Sequence, residues 1–211
     1  NDDKRAIFRT RSKVISSIRR FLDDRDFLEV ETPILSTTAG GANAVPFATH
    51  LRDLDLSMFL RIAPALYLKR LIVGGFDRVY EIGKQFRNEG LDTTHNPEFT
   101  SCEFYMAYAD YDDLRTLTER MMTDICRSVF PDGRSLVKFG SIELDLMTTP
   151  YSRLDFIGSL VSATGKSFPE PVDLESSDSA AFLSDLCFQR KINVRAPSSP
   201  ARYLDKLFDH F

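Results

Sequence analysis

Residues 86–100 have the sequence Phe86-Arg87-Asn88-Glu89-Gly90-Leu91-Asp92-Thr93-Thr94-His95-Asn96-Pro97-Glu98-Phe99-Thr100. It is a polar loop that joins two segments, residues 78–87 and 98–108, whose composition predicts β-strands. Successive side chains of a strand point to opposite faces of a sheet. If the two strands pair antiparallel across the loop, one sheet face is therefore expected to carry Arg87, Glu89, Phe99, Glu103 and Tyr105.

Helices and further strands are predicted on both sides of this hairpin. Apolar residues recur at helical spacing over residues 7–22, and residues 27–32 alternate like a strand that stops at Pro33. Residues 59–62 predict another strand, and a helix follows from Pro64 to Gly74. The remaining predictions are a helix capped by Asp110, a hairpin around Gly140, a linker at 196–200, and helices near 153–164, 177–190 and 200–211. This mixture indicates an α+β fold.

Composition excludes several classes of protein. The chain has 211 residues, of which 43% are hydrophobic and 27% charged, which excludes disordered, collagen-like and coiled-coil proteins. No run of apolar residues is long enough to span a membrane, and no signal peptide is expected. Three widely spaced cysteines predict a reducing, cytoplasmic compartment. The net charge of −4 does not indicate a nucleic-acid binder.

Familiar catalytic and metal-binding motifs fail on this sequence. Gly165-Lys166-Ser167 has the ending of a phosphate-binding P-loop, but Leu160 stands where that motif needs its first glycine. His50, His95 and His210 are too scattered to predict a metal cluster. We therefore expect no metal site within this chain.

The predicted polar face fits a particular pair of ligands. Arg87 offers a two-nitrogen fork for a carboxylate or phosphate, and Phe99 offers a ring on which a purine can stack. Glu103 and the Tyr105 hydroxyl can accept hydrogen bonds from an ammonium group. Salt-bridged strand surfaces are common, and any two of these residues alone would indicate no more than that. Together they predict a site for an amino acid beside a nucleotide.

These residues resemble motif 2 of the class II aminoacyl-tRNA synthetases, most closely the lysyl-tRNA synthetases. The basic N-terminal helix followed by Phe27-Leu28-Glu29-Val30-Glu31-Thr32-Pro33 is similar to motif 1 of that family. Further similar stretches are Leu60-Arg61-Ile62-Ala63-Pro64, Leu66-Tyr67-Leu68-Lys69-Arg70, Val79-Tyr80-Glu81-Ile82 and residues 104–111. The resemblance covers nearly all of residues 5–130 and continues more weakly to residue 211.

The resemblance implies a fold and a two-step reaction. The fold is the class II catalytic domain, an antiparallel β-sheet flanked by helices, which forms a homodimer through the motif 1 region. In the reaction, L-lysine and ATP form lysyl-adenylate and pyrophosphate, and the lysyl group then passes to the 3′ end of tRNA(Lys). The three substrates are thus expected partners, and no membrane is expected.

The resemblance also assigns roles to individual residues. Arg87 is the expected catalytic residue and contacts both the α-phosphate of ATP and the lysine carboxylate. The remaining ATP contacts fall on Glu89, His95, Asn96 and Phe99, of which Phe99 stacks on adenine. For lysine, the backbone of Gly41 and the carboxylate of Glu103 meet the α-ammonium, and Tyr105 helps to hold the ε-ammonium.

One site position departs from the family pattern. Ala65 stands where the family usually has a glutamate that helps to neutralise the lysine α-ammonium. Losing a charged hydrogen-bonding partner costs about 1.5–3 kcal/mol of binding. We therefore expect weakened lysine affinity at this site.

Chain length is the second departure. The family's catalytic domain continues beyond residue 211, where motif 3 and the acidic residues that hold Mg²⁺ are expected, and its anticodon-binding domain has no counterpart here. Residues 1–211 are therefore interpreted as the N-terminal portion of one catalytic domain, incomplete and inactive alone.

The sequence leaves two alternative functions open. One is a synthetase paralogue that attaches a lysine-like amino acid to a translation elongation factor. The other is a catalytically silent synthetase-like module used for dimerisation or regulation. Retention of Arg87, Glu89, Phe99, Glu103 and Tyr105 argues against the silent module.

Overall fold

The computed structural model describes residues 2–133, 135–194 and 198–211. The helices are α1 (Asp2–Asp23), α2 (Ala65–Val73), α3 (Tyr111–Val129), α4 (Phe156–Thr164), α5 (Ser177–Gln189) and α6 (Pro200–His210). The strands are β1 (Leu28–Glu29), β2 (Leu35–Ser36), β3 (Ala48–Leu51), β4 (Leu56–Leu60), β5 (Arg78–Phe86), β6 (Glu98–Met106), β7 (Leu136–Phe139) and β8 (Ile142–Asp145). The predicted elements are present, with ends that differ by a few residues.

The main sheet has the order β1-β5-β6. β5 and β6 pair antiparallel from Arg78 opposite Met106 to Phe86 opposite Glu98, which confirms the pairing on which the predicted polar face depends. β1 joins β5 in parallel, and the Val30 N–H extends this pairing by donating to the Tyr80 carbonyl at 2.9 Å. The sequence predicted the strand but not its parallel partner.

A second sheet has the order β2-β4-β3, and the backbone that follows β4 contacts the main sheet. β4 ends at Leu60, and the backbone continues alongside its neighbours because the Arg61 N–H donates to the Ile34 carbonyl at 2.8 Å. The Phe86 N–H donates in turn to the Arg61 carbonyl at 3.0 Å. Arg61 is thereby held between the two sheets.

Helix α1 packs against α3 over the face of the main sheet that lies opposite the site. The core there comprises Phe21, Leu22, Phe27, Tyr80 and Met121. The apolar stripe predicted for α1 is buried only in the second half of the helix. In the first half, Ile7 and Phe8 are 67% and 75% exposed.

The chain divides into two compact units, Asn1–Pro150 and Tyr151–Phe211. The second unit has its own buried core, built from Leu160, Leu183, Leu186, Cys187, Leu204 and Leu207. Of the predicted linker, residues 196 and 197 lie outside the described residues, while Ser199 caps α6 by accepting the Arg202 N–H. Across the described ranges, no helix combines the length and apolarity needed to cross a membrane.

Candidate functional site

The register of β5 and β6 brings four of the predicted residues onto one sheet face. Phe99 lies opposite Gln85, Glu103 opposite Glu81 and Tyr105 opposite Val79, and opposite residues of an antiparallel pair share a face. Pairing continues one residue beyond β5, since the Arg87 N–H donates to the Pro97 carbonyl at 2.9 Å. Arg87, Phe99, Glu103 and Tyr105 therefore share a face, as predicted.

The Arg87 guanidinium is oriented but not neutralised. Its Nε donates to the Ile62 carbonyl at 3.3 Å, and its Cζ lies 5.1 Å from the centroid of the Phe99 ring. Its terminal nitrogens have no hydrogen-bond partner within the described part of the chain. They are available as a fork for an anion.

Glu103 is a half-buried carboxylate without an ion-pair partner among the described residues. The Tyr105 hydroxyl donates to it at 3.4 Å. Burial raises the pKa of Glu103, an effect that the Tyr105 hydrogen bond and the positive charge of Arg87 partly oppose. Burial and the neighbouring Glu103 together raise the pKa of Tyr105. This carboxylate–phenol pair can accept hydrogen bonds from an ammonium group.

Gly41 lies against the start of α2. Its φ of +93° is a conformation that favours glycine, and a Cβ there would lie 3.3 Å from the Cβ of Ala65 and 3.4 Å from that of Ala63. Ala65, the first residue of α2, is buried. The structure therefore places the predicted lysine-binding glycine beside the position that departs from the family pattern.

The exposed loop between β5 and β6 is organised around Asp92. Its carboxylate accepts the backbone N–H groups of Thr94 at 2.8 Å and His95 at 2.7 Å, and lies 2.9 Å from Nδ1 of His95. These hydrogen bonds hold the pKa of the Asp92 carboxyl well below its usual range, because they favour the ionised form. These hydrogen bonds fix the position of His95, and Asn96 follows it on the same exposed loop.

The structure places Glu89 beside another loop and does not group it with Glu103. One carboxylate oxygen of Glu89 accepts the Val45 N–H at 3.3 Å, and the Asn88 N–H donates to the Val45 carbonyl at 2.7 Å. Glu89 therefore ties the start of the β5–β6 loop to the segment that follows Gly41.

Sequence reasoning missed a buried polar cluster on the site face. Nη1 of Arg61 donates to the Glu81 carboxylate and, at 3.1 Å, to the Thr32 carbonyl, while Nε donates to the Lys84 carbonyl at 3.0 Å. The Arg61 side chain crosses over Gly83, where any Cβ would overlap Nη2. A signal was present for Glu81, because in β5 this acidic residue is flanked by the apolar residues Val79, Tyr80 and Ile82.

Within the described ranges, no cluster of three or more His, Cys, Asp or Glu side chains could hold a metal ion. No chemical step is therefore assigned to a metal held by the described residues.

Known proteins resemble this chain closely. A family model described as tRNA synthetases class II (D, K and N) matches residues 1–186. A lysine–tRNA ligase, cla4, of Cladosporium cladosporioides is 46% identical over 100% of this chain and 36% of its own length. A probable cytoplasmic lysine–tRNA ligase of Vairimorpha ceranae is 42% identical over 100% of this chain and 42% of its own length. A lysine–tRNA ligase of Clostridium botulinum is 54% identical over 80% of this chain and 33% of its own length.

The chain thus spans between 33% and 42% of the length of these relatives. The family model covers most of the chain, including the sheet face that carries Arg87, Phe99, Glu103 and Tyr105. The antiparallel hairpin and its polar face agree with the match. The chain belongs to the class II tRNA synthetase family of the D, K and N group.

Proposed function

We propose that the protein containing this chain is a lysine–tRNA ligase, which activates lysine with ATP and transfers it to tRNA(Lys). The observation that carries the proposal is the shared sheet face, on which a guanidinium fork and a carboxylate, neither with an ion-pair partner among the described residues, lie along one pair of strands. Relatives named lysine–tRNA ligase support the choice of amino acid.

In the first step, a carboxylate oxygen of lysine attacks the α-phosphorus of ATP. A bond forms between that oxygen and phosphorus, and the bond from phosphorus to the bridging oxygen breaks, which releases pyrophosphate. The two reactants are both anions, so a guanidinium that contacts both lowers their repulsion and stabilises the charge that develops at phosphorus. Arg87 performs this role, and no side-chain nucleophile is needed.

In the second step, a hydroxyl at the 3′ end of tRNA(Lys) attacks the carbonyl carbon of the lysyl-adenylate. An ester bond forms as the bond between the carbonyl carbon and the phosphate oxygen breaks. AMP leaves with that oxygen, and the hydroxyl proton is released to solvent. The side chains of this chain hold the adenylate during the step and supply no covalent intermediate.

Arg87 contacts both ligands, and the other residues divide between lysine and ATP. Glu103 and the Gly41 backbone bind the lysine α-ammonium, and Tyr105 helps to bind the ε-ammonium. ATP lies along the β5–β6 loop, which the Asp92 hydrogen bonds hold in place. Its contacts are Arg87, Glu89, His95, Asn96 and Phe99. Mg²⁺ bound with ATP would neutralise part of the phosphate charge, and none of the described residues is assigned as its ligand.

The proposal extends to assembly and location. Ile7 and Phe8 expose apolar surface on α1, which suits contact with a second copy through the motif 1 region. A homodimer is therefore proposed. A cytoplasmic location is proposed because the Vairimorpha ceranae relative is named cytoplasmic.

The deciding experiment is amino-acid-dependent exchange of pyrophosphate into ATP by the complete gene product that contains this chain. Lysine is expected to support exchange, and Arg87→Ala to lower kcat by about 100-fold or more because it removes a transition-state contact. Arg127→Ala is the matched control, since this exposed arginine pairs with Asp124 away from the site. Absence of exchange with every amino acid would favour the silent module. Preference for a β-amino acid would favour the elongation-factor paralogue.

A further inference from the structure

The Arg61–Glu81 ion pair lies on the same sheet face as the proposed substrate residues. The two side chains are 5% and 4% exposed. One carboxylate oxygen of Glu81 accepts from Arg61, and the other accepts from the Thr32 hydroxyl at 2.6 Å. Both oxygens of Glu81 are thus occupied, and its charge is neutralised internally.

Glu103 is the direct neighbour of this pair. Glu81 lies opposite Glu103 in the β5–β6 register, and the Cβ atoms of such opposite residues are about 5 Å apart. The Arg61 guanidinium crosses the face over Gly83 and acts electrostatically on Glu103 as well. Arg61 therefore lies near two carboxylates and is bonded to only one of them.

We propose that Glu81 is a positioning residue for the amino-acid substrate, which it serves by holding Arg61 and so keeping Glu103 free for the substrate ammonium. The inference rests on the proposed function, in which Glu103 binds lysine. Glu81 does not itself touch substrate. Without its negative charge, the buried Arg61 guanidinium would lack a counter-ion and would pair with Glu103. The substrate ammonium would then compete with a cation tethered to the protein.

The effect is expected to be specific to lysine and not to ATP. Arg87 is oriented by its hydrogen bond to the Ile62 carbonyl and by the backbone hydrogen bond from the Phe86 N–H to the Arg61 carbonyl. These contacts do not involve the Glu81 carboxylate. Loss of its charge should therefore leave the Arg87 fork in place.

The test is Glu81→Gln in the complete gene product, measured by lysine-dependent pyrophosphate exchange. Glutamine keeps the size of the side chain and can still accept from Thr32. The KM for lysine is expected to rise about tenfold or more, because a hydrogen-bonded ionic contact is lost. The KM for ATP is expected to stay within about twofold of the wild-type value, because the substitution removes no contact to ATP.

A second variant separates charge from structure. Arg61→Met/Glu81→Gln removes both charges, and the KM for lysine is expected to return to within about threefold of wild type, a coupling that a double-mutant cycle measures. A merely structural role for the pair would make the double variant worse than Glu81→Gln. Glu143→Gln is the matched control, since it releases Lys138 from an exposed pair on the β7–β8 hairpin.

Glu81→Asp supplies an independent check if the double variant does not fold. It retains the negative charge, so the KM for lysine is expected to stay within about threefold of wild type, whereas a tenfold rise would contradict the proposal. An active wild-type enzyme in which Glu81→Gln raises both KM values equally would overturn this inference alone. A wild-type enzyme without lysine-dependent exchange would instead contradict the proposed function.

Discussion

Ala65 is the residue at which this chain departs from the family pattern within the site. Substitution by glutamate would place a carboxylate at the first position of α2, beside Gly41, in a first helical turn that has no acidic residue. We expect Ala65→Glu to strengthen lysine binding by about 1.5–3 kcal/mol, because it adds a charged partner for the α-ammonium. Isothermal titration of the complete gene product with lysine measures the change.

Val73→Glu is the control for this substitution. It adds the same carboxylate to α2 at a position that is 89% exposed. Its lysine affinity is expected to match that of wild type. Equal affinities for wild type and Ala65→Glu would contradict the role assigned to this position.

Gly83 is small because the Arg61 guanidinium lies over it. We expect Gly83→Ala to lower the free energy of unfolding by about 1–3 kcal/mol, because the added Cβ overpacks a buried site and displaces Arg61. Urea-induced unfolding of the chain measures this change. The same substitution should be less damaging in an Arg61→Met background, and equal losses in both backgrounds would show that the overlap is not the cause.

Glu103 should make lysine use depend on pH. Burial raises its folded-state pKa above the ordinary value for glutamate, about 4.3, and only the ionised carboxylate binds an ammonium strongly. For a raised pKa, stabilisation by the protonated group is complete below the unfolded pKa and is lost as pH rises through the folded pKa. The folded protein is therefore less stable when Glu103 is ionised, and this ionised form is the one that binds lysine.

The corresponding measurement is kcat/KM for lysine as a function of pH. We expect kcat/KM to fall on acidification at a pH above the ordinary titration of glutamate. Glu103→Gln should remove this limb together with most of the activity. A limb at or below the ordinary glutamate range would contradict the raised pKa.

At the scale of elements, Asp110 fixes the start of α3. Its side chain accepts the N–H groups of Asp112 at 2.8 Å and Asp113 at 3.0 Å, and the Asp110 N–H donates to the Asp113 carboxylate at 3.1 Å. We expect Asp110→Ala to lower the free energy of unfolding by about 1 kcal/mol, the usual contribution of an N-cap. Asp178→Ala, in the first turn of α5 where Ser176 is the cap, is the control and should have a smaller effect in the same urea titration.

Sequence reasoning predicted most elements because their signals are local. Asp110 was identified as a cap from its position before an apolar helical stripe, and the structure confirms it. Antiparallel pairing of β5 and β6 across the polar loop is the condition for the predicted polar face, and the register confirms that pairing. The parallel pairing of β1 with β5 was missed, because its partners are about fifty positions apart and no local signal marks them.

At the scale of the whole molecule, two cores stabilise two units. Leu207 is fully buried within the core of the second unit. We expect Leu207→Ala to destabilise that unit by about 2–5 kcal/mol, because it leaves a cavity. The backbone amides of α5 and α6 should then lose more protection against hydrogen exchange than those of β5 and β6. Equal loss in both units would show that they unfold as one cooperative body.

The extent of the domain stays a prediction. The family resemblance predicts that residues 1–211 form part of one catalytic domain, and the matched relatives are longer than this chain. The two compact units describe where contacts concentrate and leave that interpretation open.

Strand alternation in the sequence predicts that Arg87, Phe99, Glu103 and Tyr105 share one face, because alternation needs no long-range information once the two strands pair. The family follows from the resemblance of the motif residues. The tertiary structure alone decided which charges near that face are free. Thr32, Arg61 and Glu81 are far apart along the chain and meet only when two sheets fold together. Ion pairing in a buried site depends on which groups share the same desolvated space, and sequence spacing carries no such information.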